Sequence, residues 1–276
     1  MDVWLADGYR LYVEQVGSGP ALVALHGGPG LDHSMFRPYL DPLADEFRLL
    51  YVDERGQGRS DRVDPTTLSL ARFAQDVDLL AEALDLDGYA LLGHSFGAII
   101  ATWHAVNVGS ADAYVISGGG DSSEAIMADV NASLQALGDA GKQIAESWER
   151  EACVETDDEL ARLMHDQSPF HFAGPPPDDF MAGAVYSPEV LRHFARVGYG
   201  DFDYAPDLER VSKPTLVLVG GEDRTTTPRA ARVLHRGIRG SELLVLEGAG
   251  HMSFVEAQEA YLGAVRGFLR GAALGG

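Results

Sequence analysis

The 276-residue chain carries 42 acidic and 21 basic residues, a formal net charge of −21. Nucleic-acid backbones and anionic bilayers are held by basic faces, so this balance argues against both as partners. A hydrophobic content of 46% and this length are enough to bury a core in one or two domains. The single cysteine, Cys153, rules out an internal disulfide framework and fits a reducing, cytoplasmic compartment. The opening run Met1 to Asp7 lacks the basic and apolar pattern of a signal peptide. No apolar run approaches the ~20 residues of a membrane span.

In chain order, Asp7-Gly8 separates two strand-like pieces and predicts a hairpin. Continuous apolar runs follow at Ala21–Leu25, Arg48–Val52, Tyr89–Leu92, Tyr114–Ser117, Thr215–Val219 and Leu243–Leu246. Such runs predict strands buried on both faces. Leu70, Phe73, Val77, Leu80 and Leu84 recur at helical spacing, and Ile99–Val108 and Tyr261–Leu269 also suit helices. Alternating strand and helix imply a mostly parallel sheet covered on both sides. Between Gly118 and Pro214 no core strand is evident. Helix-prone patches at Glu124–Leu137, Lys142–Glu151 and Asp157–Met164, then Gly174-Pro175-Pro176-Pro177, suggest an inserted helical cap over 121–204. The core would then be 1–120 with 205–276, its last residues Gly271 to Gly276 frayed.

Gly93-His94-Ser95-Phe96-Gly97 lies between a strand and a helix, the context that gives G-x-S-x-G its meaning. The turn projects the serine hydroxyl beyond the sheet, so Ser95 is the expected nucleophile. His94, adjacent in sequence, points elsewhere and is expected to pack or line the pocket. His26-Gly27-Gly28-Pro29-Gly30 follows the strand Ala21–Leu25 and lets backbone approach a substrate closely. The expected oxyanion donors are the amides of Gly28 and Phe96. Gly248-Ala249-Gly250-His251 places His251 as general base, and Gly220-Gly221-Glu222-Asp223 places Asp223 as the acid that orients it. Asp121 is the second candidate for that acid. His26 is expected to orient the glycine loop. His33, His104, His165, His171, His193 and His235 are expected to be surface or packing residues. No metal or organic cofactor is implied.

With these residues the chain resembles the α/β-hydrolase superfamily, and within it the proline iminopeptidases. The resemblance rests on HGGPG at 26–30, on Asp53-Glu54-Arg55-Gly56-Gln57-Gly58-Arg59-Ser60, on the elbow at 93–97 and on Ile116-Ser117-Gly118-Gly119. It implies the α/β-hydrolase fold and a Ser95–His251–Asp223 triad, with the 53–60 loop as a structural brace. The chain departs from the peptidases where they hold the substrate's amine. Arg224-Thr225-Thr226-Thr227 follow Asp223, which stands five residues before Pro228 rather than four, and no Asn-Glu-Phe glutamate precedes Pro214. The expected activity is therefore hydrolysis of small carboxylic esters, with release of N-terminal proline from short peptides as the alternative. A binding module without catalysis is the third reading. Oligomeric state is left open.

The charge is unevenly placed. Residues 121–204 hold 17 acids against 5 bases, a net of −12. That concentration would attract cationic groups, which keeps the peptidase reading in play. Glu146, Glu149, Glu151 and Glu155 are its candidate amine ligands, although a solvated helix face explains them more simply. Phe170, Phe172, Met181, Tyr186, Tyr199, Phe202 and Tyr204 either line an apolar acyl pocket beneath the insertion or, as is expected of most of them, form the insertion's own small core.

Overall fold

The computed structural model describes residues 1–272 and 274. An eight-stranded sheet runs through it in the order β1-β2-β4-β3-β5-β6-β7-β8. The strands are β1 (Asp2–Trp4), β2 (Arg10–Val16), β3 (Ala21–Leu25), β4 (Arg48–Asp53), β5 (Tyr89–His94), β6 (Ala113–Ser117), β7 (Thr215–Gly220) and β8 (Glu242–Leu246). The pairs β1·β2 and β2·β4 are antiparallel, and every later pair is parallel. The Asp7-Gly8 hairpin forms as expected, with Gly8 at φ +81°. Strands β3, β5, β6 and β7 are buried at every residue, as their unbroken apolar runs require. Among the strands expected from unbroken runs, β4 opens on a half-buried Arg48 and β8 departs most from that pattern. Strand β8 is half-buried because it is the sheet's edge.

Helices cover both faces: α1 (Leu70–Ala83) and α2 (Phe96–Asn107), then α3 (Ser123–Ala136), α4 (Asp139–Glu151), α5 (Asp157–His171) and α6 (Pro188–Arg196), then α7 (Pro228–Gly237), α8 (Ser253–Glu256) and α9 (Gln258–Gly271). Helix α9 includes Gly271; Ala273, Gly275 and Gly276 of the expected frayed tail lie outside the described residues. Among the described residues no helix is long and apolar enough to cross a membrane.

Helices α3 to α6 all fall between β6 and β7. Backbone bonds pinch the two ends of this segment together: Ser123 N donates to Phe202 O at 2.9 Å and Tyr204 N to Asp121 O at 2.8 Å. Val130, Leu134, Ile144 and Phe170 form a separate apolar cluster within it. Helix α5 begins on a capping box, Thr156 with Glu159, and continues through Pro169. Proline cannot donate to the carbonyl of His165 four residues back. The Ser168 hydroxyl takes that carbonyl instead, at 2.9 Å. Helix α5 thus runs to His171, past the helical patch expected to end at Met164. Helices α6 and α7 were not among the expected elements; each opens on a proline in its first turn, a usable start signal.

Candidate active site

Ser95 sits between β5 and α2 at φ +54°, ψ −115°, a strained conformation for a residue with a side chain. Its flanking glycines are obligatory. A Cβ on Gly93 would lie 2.1 Å from the Gly97 oxygen, and one on Gly97 would lie 2.2 Å from the Leu25 oxygen. The elbow is tied to both neighbouring strands, with Ser95 N donating to Ser117 O and Gly97 N to His26 O, each at 2.9 Å. Gly28 lies at φ +135°. Among the described residues, no protein acceptor receives the amide of Gly28 or of Phe96.

Asp223 and His251 follow β7 and β8. His251 Nδ1 lies 2.8 Å from Asp223 Oδ2, with Asp223 4% and His251 2% exposed. The threonines after Asp223, which had no expected role, hold the carboxylate. Thr225 N and Thr226 N donate to Oδ1 at 2.8 and 3.0 Å, and Thr226 Oγ1 donates to Oδ2 at 3.1 Å. Asp121 is elsewhere, 3.2 Å from the Arg229 guanidinium. Ser95 makes no hydrogen bond to His251 among the described residues. Catalytic bonds of ligand-free enzymes often close only when substrate arrives.

His94 packs as expected. Its ring lies 4.9 Å from that of His251, its Nδ1 is 3.2 Å from Ser117 Oγ, and its Nε2 is buried without a partner. Burial drives its pKa well below the ordinary histidine value, so it is a neutral wall behind His251. His171, expected as a packing or surface residue, does pack, and the surface it packs against is the ring of His251. It ends α5 with its ring 5.5 Å from His251 and its Nδ1 3.1 Å from Thr225 Oγ1. Burial, aided by the nearby His251, pushes its pKa down to about 3.

His26 braces the glycine loop, its Nδ1 2.7 Å from Gly27 O and its Nε2 2.8 Å from Glu54 Oε2. Burial opposes its charge, yet the Glu54 carboxylate holds its pKa up, at about 9. The 53–60 loop extends the brace. Asp53 accepts from His33 N and from Arg59 N, at 3.0 and 2.7 Å, and Arg59 Nη1 reaches Asp32 at 2.6 Å. Asp32, His33 and Asp53 cluster closely enough to suggest metal ligands. Their carboxylates are already engaged by Arg59 and His33, which makes the cluster a hydrogen-bonded clamp. Asp32 also accepts from Val185 N at 2.9 Å, anchoring the segment before α6.

A cavity of about 880 Å³ opens over Ser95, Gly28, Phe96 and His251 and extends under α3, α4, α5 and α6. Five residues expected mostly in the insertion's core line it instead: Phe172, Met181, Tyr186, Tyr199 and Phe202. Phe170 belongs to the insertion's own cluster, and Tyr204 bonds the Ile99 carbonyl beneath. Of the four glutamates, Glu149 and Glu151 border the cavity. Glu151 is buried, accepting from Gln167 Nε2 at 2.8 Å and from the Tyr199 hydroxyl, and burial raises its pKa.

The family model described as alpha/beta hydrolase fold matches residues 20–258. The chain is 29% identical to a proline iminopeptidase of Saccharolobus solfataricus, over 95% of this chain and 88% of that one. Among solved structures, a proline iminopeptidase-related protein from Thermus thermophilus superposes with a TM-score of 0.74 at 29% identity, covering 98% of this chain and 96% of that one. An esterase from Exiguobacterium antarcticum superposes with a TM-score of 0.76 at 23% identity, covering 98% and 99%, a likeness of fold alone.

Proposed function

Since this chain belongs to the alpha/beta hydrolase fold family and is a hydrolase similar to the proline iminopeptidases, we propose that it cleaves carboxylic esters through an acyl-enzyme on Ser95. We read residues 121–204 as a cap on a core formed by 1–120 and 205–276. The observation that carries the reading is the buried Asp223–His251 pair, whose His251 opens with Ser95 onto one cavity. Ser95 Oγ attacks the ester carbonyl while His251 Nε2 takes its proton. Asp223 holds the ring and steadies its positive charge. The amides of Gly28 and Phe96 receive the oxyanion. The tetrahedral adduct collapses, the alcohol leaves with the proton from His251, and water then hydrolyses the acyl-serine by the reverse sequence.

The cavity lining supports an ester with an apolar substituent. Ile126, Val130, Met164, Phe172, Phe180 and Tyr186 surround a volume well beyond an acetyl group. The acidic insertion favours the second reading, a prolyl aminopeptidase, because it would attract an ammonium. Glu151 counts against it. That carboxyl is already engaged by Tyr199 and Gln167, and burial shifts it toward its neutral form. A fluorophosphonate probe followed by peptide mapping tests the nucleophile. It should label Ser95, and Ser95→Ala should lose roughly a millionfold in kcat by serine-protease precedent. Labelling of another serine, or retained turnover by Ser95→Ala, refutes the assignment.

A further inference from the structure

The segment 169–174, which ends α5 and continues past it, lies directly against both loops that carry the acid and the base. Arg224 Nη1 donates to Phe172 O at 3.2 Å, and His171 Nδ1 meets Thr225 Oγ1 on the acid side. On the base side, Met252 N donates to His171 O at 3.3 Å. A Cβ on Gly250, the residue before His251, would lie 2.7 Å from Ala173 N and 2.8 Å from His171 O. The two backbones are therefore in direct contact at the base.

One side chain fastens that contact. Glu256, at the end of α8, accepts from Ala173 N at 2.8 Å and Gly174 N at 2.9 Å through Oε1, and from Gly250 N at 2.7 Å through Oε2. Three backbone donors from two distant parts of the chain converge on one carboxylate, a charge-assisted arrangement stronger than neutral bonds. We propose that Glu256 is a positioning residue. It locks segment 171–174 to the His251 loop, so that seating the helical insertion and aligning the base are a single event. The inference rests on the reading of His251 as general base.

The role separates from simple packing because the carboxylate needs both oxygens. In Glu256→Gln one side of the amide still accepts, but its NH₂ cannot. In Glu256→Ala neither side is held. With a p-nitrophenyl ester of an apolar acid, kcat should fall about tenfold or more in Glu256→Ala, with KM moving much less. Glu256→Gln should recover part of the loss, and the rate of fluorophosphonate labelling of Ser95 should follow kcat in both. A folded Glu256→Ala with unchanged kcat and labelling rate overturns the proposal. Hydrogen exchange of the wild-type chain gives a second test that needs no variant. The amides of Ala173, Gly174 and Gly250 should be protected, with a common protection factor; unprotected Ala173 and Gly174 beside a protected Gly250 overturn the lock. The Ser95→Ala control keeps the two readings apart. If it retains activity, the serine mechanism falls. If it is inactive while folded Glu256→Ala is fully active, only the role of Glu256 falls.

Discussion

At the scale of single residues, the site joins groups whose chemistry is visible in sequence with groups whose position is not. Ser95, Asp223 and His251 were legible because each follows an apolar strand and sits in a glycine-rich turn. His171 is a different case. It follows no strand and lies in a polar helical stretch, so nothing local marks it as a neighbour of His251. Its effect on stability can be measured. An unfolded histidine takes a proton below about pH 6.5. In the folded chain the burial of His171 delays this until about pH 3. Between those values the unfolded state holds more protons, so the stabilising contribution is complete above pH 6.5 and declines as the pH falls toward 3. His94, buried and kept neutral, acts in the same direction. In chemical denaturation at stepped pH, His171→Gln should flatten the fall in unfolding free energy across that window, by up to roughly one proton. An unchanged slope would mean that His171 is not held neutral. Thr226 and Glu256 were equally hidden. Thr226 is three residues from Asp223, but only the folded turn aims its hydroxyl at the carboxylate. Glu256 gains its role from amides 82 and 83 residues away.

At the scale of elements, the elbow depends on backbones packed too closely for any side chain. The contact at Gly97 is with the Leu25 carbonyl of the neighbouring strand β3, and backbone cannot move aside as a flexible side chain would. Gly97→Ala should therefore displace the start of α2 or prevent folding. Thermal unfolding followed by circular dichroism should show a clear loss of midpoint, and any folded fraction should label poorly with fluorophosphonate. A Gly97→Ala protein with wild-type midpoint and labelling would contradict this packing. The strands were readable because burial on both faces requires unbroken apolar runs. Helices α6 and α7 were missed for the complementary reason. Each is short, polar on one face and joined to the body by tertiary bonds, such as Gly58 N to Ser187 Oγ at 3.2 Å at the start of α6. The helical interval between β6 and β7 was legible as a stretch without strands, but not the choice its aromatics make between a core of their own and the cavity. That choice depends on which way each side chain faces: Phe170 joins the helices' own cluster, Phe172, Tyr186, Tyr199 and Phe202 line the cavity, and Tyr204 turns down onto α2.

At the scale of the whole molecule, the net charge of −21 is concentrated where helices α3 to α6 cover the cavity. Two properties of that region point in opposite directions. Its field attracts cations at a distance, whereas the cavity beneath is mostly apolar and its one buried glutamate is already bonded. Long-range attraction affects encounter and is weakened by salt; the lining decides what is held during the chemical step. On that division the lining governs specificity, which is the ground on which we propose the neutral ester as the better substrate. The most direct test compares kcat/KM for a p-nitrophenyl ester of a medium-chain acid with that for proline p-nitroanilide, on the wild-type chain at one pH and salt concentration. Faster cleavage of the ester is the expected result. A kcat/KM for the prolyl anilide far above that for the ester would contradict the ester reading and establish the aminopeptidase in its place.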